Sequence, residues 1–456
     1  MSPKPSRPVS RRTVLKKGAA AAVGGGAAAF LAGDGAGAQG GAAQQGAPAV
    51  LRGTQAGRRV RAMIKYRNEL ASVEQITLRA IGPRSVVVRV EACQACYSQV
   101  TQALVTGNQT GLGLGVETPF TRATILGHGF VGVVEAIGPQ VSTVEVGDRV
   151  ITCQHAQCGL CVPCLRGRGD RCINNTVPPF ADFNGMVVTG ALGGGGFTEV
   201  SVVPEEYTTP VFTDIPASQL SNISCVGSCG FGTATTMAPV EHASDVVIFG
   251  AGIVGMHAIQ GARIRGASQV IVVEPVRYRR ELALKLGATA VVDPNVEGDN
   301  LVAKLKDMCT YKKTTRRFAG GGYVGPDYVI EAVGGDRLPP KVERGPDPTG
   351  VQVLQQGWEL CSIVGTYVTC SIGHPAKSDF RFPAAQWADA PKHHIPGSQG
   401  GFAARKEIPR LIRLIETGQF NMGAIAPKTF PFEQAKQAFQ EAADRTVLVT
   451  AVIPTT

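Results

Sequence analysis

Four cysteines packed into one short run, Cys158, Cys161, Cys164 and Cys172, constrain this 456-residue chain more than any other feature. Cysteines three positions apart make poor disulfide partners, because bridged Cα atoms need a narrow separation and convergent Cβ vectors. Thiolates at this spacing match a tetrahedral metal centre instead, and zinc is its usual occupant. A four-sulfur site has no open coordination position. It staples a loop, and the chemistry has to be sought elsewhere.

The rest of the composition narrows the class. With 44% hydrophobic residues the chain can bury a large core and is expected to form two domains. Its 57 glycines and 6% aromatics suit an α/β protein with many tight turns. The formal charge of +10 is concentrated at the start: residues 1–38 carry Lys4, Arg7, Arg11, Arg12, Lys16 and Lys17 against Asp34 alone. The remainder is only modestly basic, and no basic patch interleaved with aromatics follows, so a nucleic-acid partner is not expected. No segment offers the 18 or more apolar residues of a membrane span.

Residues 1–38 read as an export signal. Ser10-Arg11-Arg12-Thr13-Val14-Leu15-Lys16 resembles the twin-arginine pattern. A weakly apolar Ala/Gly core runs from Gly18 to Leu31, and Ala36-Gly37-Ala38 offers a small-residue cleavage site. The twin-arginine machinery carries folded proteins, which suits thiolates that must meet zinc before an oxidising compartment. A periplasmic or extracellular location is therefore expected, with residues 39–60 as a solvated linker.

From Met63 to about Ser228 short β-rich runs alternate with Gly and Pro, as in Ser85–Glu91 and Phe130–Ile137. From Ser244 the texture becomes βαβ: strands at Asp245–Phe249, Gln269–Val273 and Ala290–Val292, with helices from Ile253 and over Arg277–Leu286. Asp327–Glu331 and Glu359–Gly365 read as further strands. The proline-rich stretch Gly334–Gly350 between them reads as a surface insertion. A last helix, Ile408–Glu416, and a strand, Thr446–Ile453, have no evident place in that sheet.

Gly250-Ala251-Gly252-Ile253-Val254-Gly255 follows one of these strands and opens a helix, which is the context a dinucleotide fingerprint requires. Its glycines permit the tight turn, the close approach of a pyrophosphate and helix–strand packing, while the amides of the helix start hold the anion. Glu274, at the end of the second strand, is placed to bond ribose hydroxyls, which favours NAD over NADP. Three further polar positions at strand ends or tight turns, Cys96, His128 and Cys229, make a plausible catalytic zinc set, because two thiolates and an imidazole leave a fourth position open. Each is weak evidence taken singly, since a lone buried Cys or His is more often structural.

The order of these segments resembles the zinc-dependent medium-chain dehydrogenase/reductase family, the alcohol and polyol dehydrogenases, over nearly all of residues 61–456. The matching stretches are Val86–Ser98, Ile125–Gly138, the cysteine quartet, Gly227–Thr233, the Gly250 fingerprint and Asp327–Gly334. The resemblance implies an α/β chain with a GroES-like β-rich catalytic domain (61–229), a Rossmann domain with a doubly wound parallel sheet (230–395) and a return to the catalytic domain (396–456). It implies two zincs per chain, one catalytic on Cys96, His128 and Cys229 and one structural on the quartet, together with NAD. Ser98 would relay the alcohol proton, and Thr233 would pack near the nicotinamide. Ile253, Val254, Arg279 and Val333 would lie along the cofactor, with Arg445 reaching its pyrophosphate. Relatives of this kind are commonly homo-oligomers.

Two residues depart from the family pattern. Gly129 stands where a Glu usually follows the zinc histidine, and Gln99 where an Asp usually stands. The histidine that often ends the proton relay has no counterpart near Thr101. Thr106–Arg122 adds a Gly-rich insertion that is expected to reshape the substrate mouth. The leading expectation is an alcohol, aldehyde or ketone oxidoreductase with tightly held NAD, since free NAD is scarce outside the cytoplasm. The alternatives are a reductase or lyase-like relative without oxidation at zinc, and a degenerate exported binding protein. Cys93, Cys153, Cys225, Cys309, Cys361 and Cys370 are expected to be packing residues.

Overall fold

The computed structural model describes residues 55–455, except 68, 107–122, 192, 310–324, 376–377, 380–381, 383–390 and 398–399. The export segment, most of the linker and the Gly-rich insertion lie outside the described residues.

The N-terminal part is β-rich because its sequence alternates β-branched residues with turn glycines. Arg59–Lys65, Ser72–Leu78, Ala181–Phe183, Met186–Gly190 and Thr124–Ile125 close a small barrel. Beside it runs a sheet in the order Thr208–Pro210, Arg149–Thr152, Phe130–Ile137, Ser85–Gln94, Thr450–Ile453 and Lys428–Pro431, with Val200–Pro204 also on Ser85–Gln94. The unplaced C-terminal strand thus finds its partner here: Ala451 sits opposite Gln94 and Val452 opposite Cys93. A helix not legible in the sequence, Ala435–Asp444, covers that strand with Ala438 and Phe439 fully buried.

The second sheet is all parallel, in the order Ala290–Val292, Gln269–Val273, Asp245–Phe249, Tyr328–Glu331, Thr366–Thr369, His393–Pro396. This is the 3-2-1-4-5-6 winding of a dinucleotide-binding fold, whose crevice opens where the order reverses, beyond Phe249 and Glu331. The expected strand Glu359–Gly365 is corrected. Val351–Leu360 is a helix with Gly357, Trp358 and Leu360 buried, and the strand starts later, at Thr366. A short apolar run cannot by itself separate a buried helix end from a strand. Gly334–Gly350 contains neither helix nor strand, as its prolines require.

Glu205 braces the catalytic part with its buried carboxylate and ties the C-terminal return to it through its backbone. Glu205, 1% exposed, accepts from the amides of Ser142 (3.0 Å) and Thr143 (3.2 Å) and from the Thr143 hydroxyl (2.9 Å). Its backbone carbonyl accepts from Arg405 on helix Ala404–Glu416. Burial raises the Glu205 pKa, but these donors and Arg84 outweigh burial, so the group sits below its ordinary value. A depressed folded pKa means stability that is present above the unfolded value and lost as pH falls through the folded one. Glu205→Gln is therefore expected to cost about 1–3 kcal/mol near neutrality. The gap to the wild type should close as pH drops below about 4, and melting both proteins across that range checks it.

Candidate active site

The strand Ser85–Gln94 ends just before Cys96, which caps the helix Tyr97–Leu104. His128 lies in the tight turn before the strand Phe130–Ile137, between Gly127 (φ +99°) and Gly129 (φ +73°). The third element is a buried helical run: a π-helical turn Ile223–Gly227, an α-helical turn Ser228–Gly232 and a second π-helical turn Thr233–Met237. π-Turns concentrate at functional sites.

These elements bring together a metal-competent set that differs in one member from the expected one. The donor atoms of Cys96, His128 and Cys225 all lie within 4.8 Å of one another, with the two sulfurs 3.9 Å apart. Cys225 was expected to be a packing residue and instead faces the cavity. Cys229, the expected ligand, lies four residues on, lines the same cavity and neighbours the Cys225 sulfur, but it is not part of that group. Residues i and i+4 share a helix face, so the two cysteines compete for one position that sequence spacing cannot divide between them.

The chemistry of the set fits a cation. Both ring nitrogens of His128 are buried and have no hydrogen-bond partner among the described residues, a state that costs free energy unless something fills it. The contact with the Cys225 sulfur holds the Cys96 thiol well below its ordinary value despite burial, with His128 and Ser98 acting in the same direction. Cys225 is pushed up by its cysteine neighbours and by burial. Gln99 is buried and spends its amide on scaffolding: Oε1 accepts from the Gly127 amide at 2.7 Å, and Nε2 donates to Gln102 at 3.0 Å. It braces the turn before His128 and does not touch the ring. Ser98, 8% exposed, donates to the Cys96 sulfur at 3.4 Å.

A cavity of about 500 Å3 runs from this set to the fingerprint turn. Gly250 takes φ +90°, open to glycine at no cost, and a Cβ on Gly255 would collide with the Gly250 carbonyl. Ile253 and Val254 line the cavity at the helix start, as do Gly252 and Val333. Glu274, 3% exposed, accepts from the amides of Ala251 (2.7 Å) and Val276 (2.9 Å). Each carboxylate oxygen keeps a lone pair for a ribose hydroxyl. Arg279 sits over Gly252, its guanidinium 4.0 Å from where a Cβ there would lie. Arg445 reaches the cavity in an αL conformation, pairs with Asp336 and lies over the Tyr97 ring at 5.2 Å. Thr233 does not line the cavity; its hydroxyl turns back onto the Cys229 carbonyl at 2.6 Å. These residues fit a dinucleotide.

Three features were missed from the sequence. His155 lines the cavity, with burial holding its pKa down to about 4, so it is neutral near pH 7. Gln154 accepts from the Cys225 thiol at 3.2 Å. The segment Gly334–Gly350, read as a surface insertion, lines the cavity at Gly334–Arg337 and again at Gly345–Asp347. Its Leu338 amide meets the Tyr97 hydroxyl at 3.3 Å, and Lys341 pairs with Asp444 at 2.7 Å. Further along, the Arg344 carbonyl accepts from Asn295 at 2.9 Å. No motif signals such a strap; only the fold shows what it spans.

The cysteine quartet closes as expected. Sγ–Sγ distances are 3.9 Å for Cys158–Cys164 and for Cys161–Cys172. A tetrahedron of sulfurs at zinc distance has edges of about 3.8 Å. Burial raises the Cys158 thiol, but the amides of Leu160 and Cys161 outweigh it and bring it to about 6.

Residues 82–213 match the family model of the alcohol dehydrogenase GroES-like domain, and residues 254–344 match that of the zinc-binding dehydrogenases. S-(hydroxymethyl)glutathione dehydrogenase of Saccharomyces cerevisiae is 25% identical over 382 residues, 81% of this chain and 89% of the relative. Geraniol dehydrogenase of Castellaniella defragrans is 36% identical over 200 residues, 41% of this chain and 53% of the relative. Benzyl alcohol dehydrogenase of Acinetobacter calcoaceticus shares the fold with a TM-score of 0.71 at 24% identity, over 87% of this chain and 100% of that one.

Proposed function

We propose that this chain, a member of the zinc-type medium-chain dehydrogenase/reductase family, moves hydride between an alcohol and NAD and keeps the cofactor bound between turnovers. The observation that carries this reading is the single cavity joining the Cys96–His128 set to the Gly250–Gly255 turn. Cys96 and His128 would hold a zinc that supplies charge easing loss of the hydroxyl proton, and the Gly250–Gly255 turn with Glu274 would hold NAD, which supplies the hydride acceptor. Ser98 is placed to take that proton and pass it outward. Val226, Ile253 and Val254 give the cavity an apolar wall that limits water around the reacting carbon.

Cofactor retention is supported by the strap. Asp336 and Lys341 tie it to Arg445 and Asp444 on the catalytic side, and Arg344 and Glu343 tie it to Asn295 and Arg277 on the Rossmann side. Release of a dinucleotide would require these contacts to part. Denaturing the purified protein should release nicotinamide in near-equal amount to the chain, and a cofactor-free preparation that needs added NAD would count against retention. Asp336→Ala combined with Lys341→Ala should weaken retention by about 10–100-fold, since each removes a charged hydrogen bond. Nicotinamide recovered after gel filtration reads this directly.

Export by the twin-arginine route is supported by Ser10–Lys16 and Ala36–Ala38. A cofactor loaded before transport and recycled in place would suit a compartment poor in free NAD. No helix among the described residues is long and apolar enough to cross a membrane.

A further inference from the structure

We propose that the alcohol oxidised here carries a carboxylate at its far end, received by Arg171 beside Gln154 and His155. The proposal rests on the dehydrogenase reading above and names its substrate class. The charges lining the cavity are divided between its two ends. Its acids among the described residues are Glu274, Asp336 and Asp347, at the second Rossmann strand and on the strap, and all three are engaged. Glu274 accepts from two backbone amides, Asp336 pairs with Arg445, and Asp347 accepts from the amides of Thr349 and Gln352 at 2.8 Å each.

The end beside Cys96 and His128 is lined by Gln154, His155 and Arg171, and by no carboxylate among the described residues. Gln154 is tied to that end through the Cys225 thiol. His155 follows it in the chain, and its Nδ1 is buried with no hydrogen-bond partner among the described residues. Burial is the main cause of its low pKa; Asp170 pulls it up, while Arg171 and His128 push it further down. Such effects fade with distance, so the ring stands within charge range of both His128 and the Arg171 guanidinium.

Arg171 closes the 3-10 turn Gly169–Arg171 and directly precedes Cys172, so the quartet loop sets its position. It donates to the Pro396 carbonyl at 3.3 Å and shares the buried Asp170 with Arg168. Arg168 grips that carboxylate through two contacts of 2.8 Å, and Arg171 reaches it at 3.4 Å. Among these three groups two guanidiniums face one carboxylate, and one positive charge is in excess. The Arg171 side chain is 44% exposed, which places it where the cavity meets solvent. A guanidinium fork matches a carboxylate. A single excess charge suits a monoanion, and Asp170 close by disfavours the dianion of a phosphate ester. Val226, Ile253 and Val254 suit the carbon chain between hydroxyl and acid.

In the test the holoenzyme, with NAD added, is mixed with ω-hydroxyhexanoate, hexanol, aminohexanol or hexanediol monophosphate, and nicotinamide reduction is followed by absorbance. The hydroxy acid should exceed hexanol in kcat/KM by at least about 10-fold, with aminohexanol slowest, and added salt should narrow the gap. Arg171→Gln should cut the advantage of the hydroxy acid over hexanol by about 10–100-fold. The loss should fall on KM and not kcat, as expected for binding remote from the reacting carbon. Arg171→Lys, which keeps the charge without the fork, should retain part of the advantage, and a metal count in each variant shows whether the quartet loop is closed. Where a variant folds poorly, the wild-type order of substrates decides the matter. Hexanol equal to or better than the hydroxy acid, or a lead for the phosphate ester, overturns the proposal and leaves the dehydrogenase reading intact. Reduction by none of the four overturns both.

Discussion

Cys96→Ser is expected to lower kcat by at least about 1,000-fold, cut the metal content from two ions to one, and leave the bound nicotinamide unchanged. The sulfur of Cys96 is the hub of the candidate set: it meets Cys225 at 3.9 Å and Ser98 at 3.4 Å, with His128 in the same group. Its thiol is held well below the ordinary value by the contact with the Cys225 sulfur, so it is ready to serve as an anionic donor. A serine hydroxyl of nearly the same shape does not ionise. A positioned metal contributes several kcal/mol to such a reaction, and each 1.36 kcal/mol is a factor of ten in rate. The fold should survive, because Cys96 caps the short helix Tyr97–Leu104 through its backbone, with no side-chain cap. The cofactor should survive as well, because the fingerprint turn stands on a different strand and helix. Turnover within tenfold of the wild type, with metal analysis unchanged, would remove Cys96 from the mechanism.

The sequence carried most of the architecture because local signals and long-range order agreed. The strands Asp245–Phe249 and Gln269–Val273 each carry a four-residue apolar run after one polar residue, and their flanking glycines and helices identify a parallel sheet before any contact is known. The cysteine quartet was equally plain, since all four ligands fall in one loop. The limits appeared where the outcome depends on how two remote elements meet. Cys225 and Cys229 lie four residues apart on one helical run, and only the fold shows which of them falls in one group with Cys96 and His128. The strap looked like an insertion because prolines report what a segment cannot form and say nothing of what it crosses. Thr233 illustrates the same limit: on a π-helical turn its hydroxyl faces the Cys229 carbonyl and not the cavity.

Cys172→Ser is expected to unfasten the quartet loop, with loss of one metal ion and new trypsin sites at Arg166, Arg168 and Arg171. The reason lies in what the loop lacks. Its regular structure is one short helix, Val162–Leu165, and a 3-10 turn, Gly169–Arg171. Its large apolar side chains point to solvent: Leu160 is 81% exposed, Leu165 71% and Ile173 73%. With so little apolar burial the loop cannot offset the entropy of ordering its backbone, so the metal–sulfur bonds must do so. In zinc-dependent peptides such bonds are worth about 10–16 kcal/mol, and three remaining ligands hold the ion far less firmly. The loop also reaches the active site, since its Arg171 and the nearby His155 line the cavity. Activity should therefore fall partially, with the half-life at elevated temperature shortening more than kcat drops, which is the reverse of Cys96→Ser. Limited trypsin digestion with mass analysis, beside a metal count, separates the two variants. A Cys172→Ser protein that keeps both ions and resists cleavage across Arg166–Arg171 would mean that packing, and not the metal, holds this loop.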